Sequence, residues 1–118
     1  MPGTIRSVLY GDQPVIRSDG QFVRDYLHVS DAVDAYLMAA EVLATREELA
    51  GEAVNISYEQ PVSVSDIVGR ILALMGKPND EPVILGEASN EIRQQYLDAG
   101  RAHDVLGWGS HAQASTLA

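Results

Sequence analysis

A small α/β fold is the architecture this sequence predicts, and three observations carry it. Short apolar or alternating runs recur at residues 15–17, 22–29, 53–57 and 83–85. Segments with helical spacing lie around them, the clearest at residues 63–75. Glycine, proline and Ser-Asp pairs mark the junctions. The resulting order is helix, hairpin, helix, strand, helix, strand, helix, with about four helices interleaved among short strands. Such a sheet is thin and its edges are open.

The elements follow in order. Pro2 suits a first helical turn, and Ile5, Val8 and Leu9 share a face, so residues 1–10 read as a helix that Gly11-Asp12 ends. Residues 15–17 are extended, and Ser18-Asp19-Gly20 is a turn. Residues 22–29 alternate, with Phe22, Arg24, Tyr26 and His28 on one face and Val23, Asp25, Leu27 and Val29 on the other. Together the two runs predict a hairpin. Ser30 or Asp31 caps a helix to about residue 46, with Val33, Leu37 and Ala40 as its inner stripe and Tyr36 and Leu43 flanking.

Residues 47–52 form a polar connection and 53–57 a strand. Ser63 caps the next helix with Asp66 three residues on, and Val64, Ile67, Val68, Ile71, Leu72 and Met75 hold its spacing without a miss. Gly76 and Pro78 stop it. Residues 83–85 read as a buried strand. A last helix covers residues 99–106, capped by Asp98 and closed by Gly107, with Trp108 folded back on it. One domain is expected over residues 1–108, followed by a polar, frayed tail at 109–118.

Composition narrows the function. Seventeen acidic residues oppose eight basic ones, for a formal charge of −9, which argues against nucleic acid and against anionic membrane surfaces. Lys77 is the one lysine; the other cations are arginines, suited to bidentate anion recognition. The absence of cysteine removes disulfides, thiolate catalysis and thiolate metal sites. No apolar run reaches membrane-spanning length and no signal peptide is visible, so a cytoplasmic location is expected.

Chemistry is sparse. The stretch Gly107-Trp108-Gly109-Ser110-His111-Ala112 has the spelling of a dinucleotide turn, but it follows a helix rather than a strand. His28, His103 and His111 lack metal-ligand spacing, and no Ser/His/Asp grouping is apparent, so neither a metal site nor a catalytic residue is expected. Arg24 is the leading ligand residue, a cation on a strand that runs into a helix start, an arrangement suited to a phosphate. The competing reading pairs it with an acid and leaves it on the sheet surface. Arg93, in a polar loop, and Arg17, on the hairpin, are further candidates; Arg93 paired with Glu91 is the plain alternative. A small enzyme with His28 as base and Asp25 or Asp31 as partner, and an acidic non-enzymatic interaction module, are rival readings.

Several blocks together resemble one family. They are Pro2-Gly3-Thr4-Ile5-Arg6-Ser7, Val15-Ile16-Arg17-Ser18-Asp19-Gly20, and Val23-Arg24-Asp25-Tyr26-Leu27-His28-Val29-Ser30-Asp31. Gly51-Glu52-Ala53-Val54-Asn55-Ile56-Ser57, Tyr96-Leu97-Asp98-Ala99-Gly100-Arg101-Ala102 and Leu106-Gly107-Trp108 follow in the same order. They are similar to the C-terminal half of extended short-chain dehydrogenase/reductases of the nucleotide-sugar epimerase and 4,6-dehydratase branch. The Arg-Asp-Tyr block is the specific part.

The resemblance implies the small C-terminal lobe of a Rossmann-type enzyme, a substrate-binding domain whose NAD-binding domain and Tyr-x-x-x-Lys catalytic pair lie elsewhere. No tyrosine here has a lysine four residues on. NAD would belong to the full-length parent and not to this chain. By resemblance Arg24 contacts the nucleotide diphosphate, and Arg93 lies near a second phosphate-binding arginine. Ile16 and Arg17 pack beside the base, Gln60 approaches the base or ribose, and Tyr96 lies near a position that lines the nucleotide pocket. Tyr26 is a further pocket candidate from the strand alternation alone, because it shares the Arg24 face; core or cross-strand packing is its plain alternative. Residues 91–94 depart from the Arg-Pro-Gly-Asp-like loop of many relatives. The expected partners are a weakly bound nucleotide-sugar, the missing NAD-binding domain, and a second copy in a homodimer or higher assembly.

Overall fold

The computed structural model describes residues 1–87 and 90–109. The tail expected to fray lies, apart from Gly109, outside the described residues. The chain is an α/β protein that packs as two compact units, one of Met1–Arg24 with Pro61–Gln95, the other of Asp25–Gln60 with Tyr96–Ala118.

The first unit opens with α1 (Pro2–Tyr10), which has proline in its first turn and ends on Gly11 in the left-handed conformation. Strand β1 (Val15–Ile16) and strand β2 (Val23–Arg24) follow. They do not form the expected hairpin. β1 pairs in parallel with β4 (Val83–Ile84), whereas β2 is the centre of a separate sheet, antiparallel to β3 (Val62–Ser63) and parallel to β5 (Gln94–Gln95). The turn explains the divergence. Gly20 takes φ 82, and a Cβ on it would sit 2.1 Å from the Ser65 Oγ. Glycine lets the backbone run close under the start of α3 (Val64–Leu74), where Ser65 N–H donates to the Gly20 carbonyl at 2.9 Å. The chain is thereby drawn toward that helix instead of folding back on β1.

Helix α3 forms as its sequence dictates. The Ser63 hydroxyl accepts from Asp66 N–H at 3.1 Å. Val68 and Leu72 join Val8 and Ile16 in the core, with Val64, Ile67 and Met75 packed against it. Strand β4 is exposed, not buried: Val83 is 37% and Ile84 53% accessible. The core of this unit takes Ile16 from β1 and not its partner Ile84 from β4.

In the second unit, the strand expected over residues 22–29 ends at Arg24, and an irregular stretch leads to α2 (Val29–Leu43). The cap is His28 rather than Ser30 or Asp31, its ring nitrogen Nδ1 accepting from Ser30 N–H at 3.2 Å. The inner stripe also differs. Ala35 and Asp31 are buried and Met38 packs on the core, while Val33, Tyr36 and Leu37 face outward. The helix carries two apolar stripes, and the core takes the small one because α4 (Gly100–Leu106) packs close through Ala99 and Ala102.

Residues 53–57, expected as a strand, join no ladder among the described residues. Val54 and Ile56 feed the core, and the Asn55 amide donates to the Asp98 carbonyl at 3.2 Å. At α4, Asp98 Oδ1 accepts from Gly100 N–H at 2.8 Å, and Glu59 Oε1 from Ala99 N–H at 3.0 Å. Gly107 closes the helix at φ 72, and Trp108 folds back with its N–H on the Ala102 carbonyl at 3.3 Å, as expected. Among the described residues, no helix is long and apolar enough to cross a membrane.

Candidate functional site: an arginine pair on Phe22

Strand register builds the site. Phe22 immediately precedes β2 and stands two residues from Arg24, a spacing that puts both side chains on one side of the chain. β5 runs parallel to β2 with Val23 opposite Gln94, which puts Arg93 beside Phe22; Val23 N–H donates to the Arg93 carbonyl at 2.8 Å. Both guanidinium groups therefore lie within cation–π distance of one ring. The Arg24 Cζ lies 5.7 Å and the Arg93 Cζ 5.2 Å from the Phe22 centroid, and Phe22 is itself buried.

Each cation is further held. Arg24 Nη1 donates to the Val23 and Ile92 carbonyls, both at 2.8 Å, which fixes the plane of its fork. Its Nη2 donates to Glu91 Oε2 at 3.3 Å. Arg93 Nη2 donates to Asp19 Oδ2 at 3.1 Å. Asp19 is in turn anchored by Gln21 N–H on Oδ1 at 2.9 Å. That backbone bond first, and the Arg93 guanidinium second, hold the Asp19 carboxyl below its ordinary value. The Arg24 side chain is 25% exposed and that of Arg93 67%, so neither is sealed in an apolar interior. Glu91 serves Arg24 rather than Arg93, so Arg24 is paired with an acid, as its competing reading expects, and Arg93 is paired with Asp19.

Two of the other expected site residues, Ile16 and Arg17, lie in the first unit. Ile16 belongs to the core of the first unit at 3% exposure, which leaves its side chain no free face for a base. Arg17 follows β1 and is exposed; because β1 and β2 lie in different sheets, Arg17 does not share the Arg24 face. Tyr26, Gln60 and Tyr96 belong to the second unit, where Tyr26 is half-buried and Gln60 and Tyr96 are exposed. Phe22 is the residue that sequence reasoning misses, although its alternation with Arg24 is the signal that could have found it.

Asp25 and His28 are occupied separately. Asp25 Oδ2 accepts from the Ser57 hydroxyl and from Leu97 N–H, a staple within the second unit. His28 Nδ1 faces the Ser30 hydroxyl at 2.8 Å, and that hydroxyl lies 3.3 Å from Asp31 Oδ1. A hydroxyl standing between imidazole and carboxylate is not the order that activates a nucleophile. Among the described residues no three His, Asp or Glu side chains are grouped to hold a metal. Nor do the glycines fit a dinucleotide: Gly20 and Gly86 follow strands, yet each leads on to another strand and not to a helix. The arrangement supplies two positioned cations.

Known proteins share this fold and sequence. Residues 1–57 match the model of the NAD dependent epimerase/dehydratase family. A UDP-glucose 4-epimerase of Mycolicibacterium smegmatis is 31% identical over 102 residues, covering 86% of this chain and 31% of that protein. A UDP-glucose 4-epimerase of Caenorhabditis elegans is 31% identical over 101 residues, covering 85% of this chain and 28% of that one. Among solved structures, UDP-glucose 4-epimerase from Thermotoga maritima with UDP-glucose superposes with a TM-score of 0.71 at 27% identity, over 89% of this chain and 32% of that chain. UDP-glucuronic acid 4-epimerase from Bacillus cereus shares the fold with a TM-score of 0.77 at 24% identity, over 91% and 33%. The chain thus spans about a third of the length of the relatives it matches. Its ordered sequence blocks, its α/β fold and these matches make it a member of the NAD dependent epimerase/dehydratase family.

Proposed function

We propose that this chain is the nucleotide-sugar-binding part of an NAD-dependent epimerase or 4,6-dehydratase, with Arg24 and Arg93 gripping the diphosphate. The observation that supports the reading best is the convergence of both guanidinium groups on Phe22, with the Arg24 fork oriented by two backbone carbonyls. A diphosphate offers two anionic groups to the two cations that share this ring. The relatives, which include UDP-glucose 4-epimerases, support this substrate class. In this reading, hydride transfer and NAD binding fall to a part of the parent enzyme outside this chain, and no step of that chemistry runs through the arginine pair.

The chain by itself binds weakly. Two charge-assisted contacts contribute roughly 1.5–3 kcal/mol each, about what a millimolar complex requires. Water entering a one-walled site screens them further. Titration of the chain with UDP, followed by amide and arginine side-chain NMR shifts, tests the reading. Shifts concentrated at Arg24 and Arg93, and lost in Arg24→Met, are expected. Shifts unaffected by Arg24→Met would contradict it.

The exposed stripe of Val29, Val33, Tyr36 and Leu37 on α2 supports self-association. Light scattering at high concentration is expected to show a dimer or larger species, and a strict monomer would count against that reading.

A further inference from the structure

We infer that Glu91 is a built-in competitor for the anion site, a carboxylate that occupies the free arm of Arg24 and sets how tightly a phosphoryl group binds there. The inference rests on the reading of Arg24 as an anion-binding residue. Its basis is an asymmetry between the two ion pairs. Both guanidinium groups carry a carboxylate, but Asp19 is pinned by the Gln21 N–H, whereas the Glu91 carboxylate is held by the Arg24 contact. Glu91 is 60% exposed in its side chain, and its 3.3 Å contact to Nη2 is the longer of the two.

The Arg24 fork divides in the same way. Nη1 is committed to the Val23 and Ile92 carbonyls at 2.8 Å. These acceptors are backbone and stay in place, so Nη1 orients the fork and Nη2 is the arm turned outward. An incoming phosphoryl oxygen seeks the same N–H that Glu91 Oε2 now accepts. Two anions cannot share that arm without repulsion, so the glutamate must swing away on its flexible stem. An exposed ion pair is weak enough for this exchange. The Asp19 pair behaves differently, because its carboxylate is part of a turn and remains beside Arg93.

Glu91 is therefore a specificity-setting residue: it passes an anion that engages both arginines and rejects one that engages Arg24 alone. The test uses UDP as probe and compares the wild-type chain with Glu91→Gln, Glu91→Ala and Glu48→Gln. Glu48 pairs with Arg46 in the second unit and supplies the same change in net charge at another site. Glu91→Gln and Glu91→Ala are expected to bind UDP about threefold more tightly, within the roughly fivefold that an exposed pair allows. Glu48→Gln is expected to match wild type. The gain at Glu91 shrinks as salt is raised, because exposed charges are screened.

The outcomes separate the two claims. If UDP binds in an Arg24-dependent way but the Glu91 variants bind no more tightly than Glu48→Gln, the competitor role falls and the site stands. Weaker binding by the Glu91 variants would mean that Glu91 orients the fork, and would overturn the role equally. If no chain shows Arg24-dependent binding, both the site and its competitor are refuted.

Discussion

Replacing Trp108 by alanine is expected to remove about 3–5 kcal/mol of folding stability. Trp108 is 2% exposed and forms the second core with Ala35, Ala99 and Ala102. Its ring stacks on Tyr58 at 5.7 Å between centroids and 26° between planes, and its Nε1–H donates to the Ser57 carbonyl at 2.7 Å. The alanines around it cannot collapse into the space an indole leaves, so the cavity persists. A protein of this size holds only about 5–15 kcal/mol in total, so the loss is a large share. Thermal unfolding followed by circular dichroism should show the midpoint fall by about 10 °C or more. Trp108→Phe separates packing from hydrogen bonding. It keeps most of the apolar area but leaves the Ser57 carbonyl without its donor, at roughly 1–3 kcal/mol. A Trp108→Ala variant as stable as wild type would show that Trp108 does not build this core.

Leu72→Ala is expected to remove about 2–5 kcal/mol. Leu72 is fully buried at 2% exposure and contacts the core of Val8, Ile16 and Val68 in the first unit. It stands on the inner stripe of α3, where Val68 and Ile71 are also buried. Leu72→Met keeps volume and is expected to lose less than about 1.5 kcal/mol. Urea unfolding of the two variants reads the difference; equal midpoints would contradict the assignment of Leu72 to a tightly packed core.

Helix α3 is legible in the sequence throughout, because its cap, its stripe and its stop agree. Trp108 is legible for a related reason: a left-handed glycine after a short helix leaves an apolar residue positioned to fold back on it. The α2 stripe is not legible. Periodicity identifies apolar faces but does not rank them, and here Ala35, Ala99 and Ala102 favour close approach over the bulk of Val33 and Leu37. The hairpin fails because Ser18-Asp19-Gly20 looks like a reversal while Gly20 serves a close contact with Ser65. Gln94–Gln95 gives no apolar signal as a strand, yet β5 is what carries Arg93 to Phe22. Arg24 itself stands out from its strand alternation and family block; its partners emerge only from three-dimensional pairing.

A crystal structure of the chain with UDP tests the diphosphate grip most directly. Phosphoryl oxygens are expected within hydrogen-bond distance of Arg24 Nη2 and of the Arg93 guanidinium, with the Glu91 carboxylate moved off Arg24. A diphosphate bound away from both arginines, with the Arg24–Glu91 pair intact, would contradict the grip.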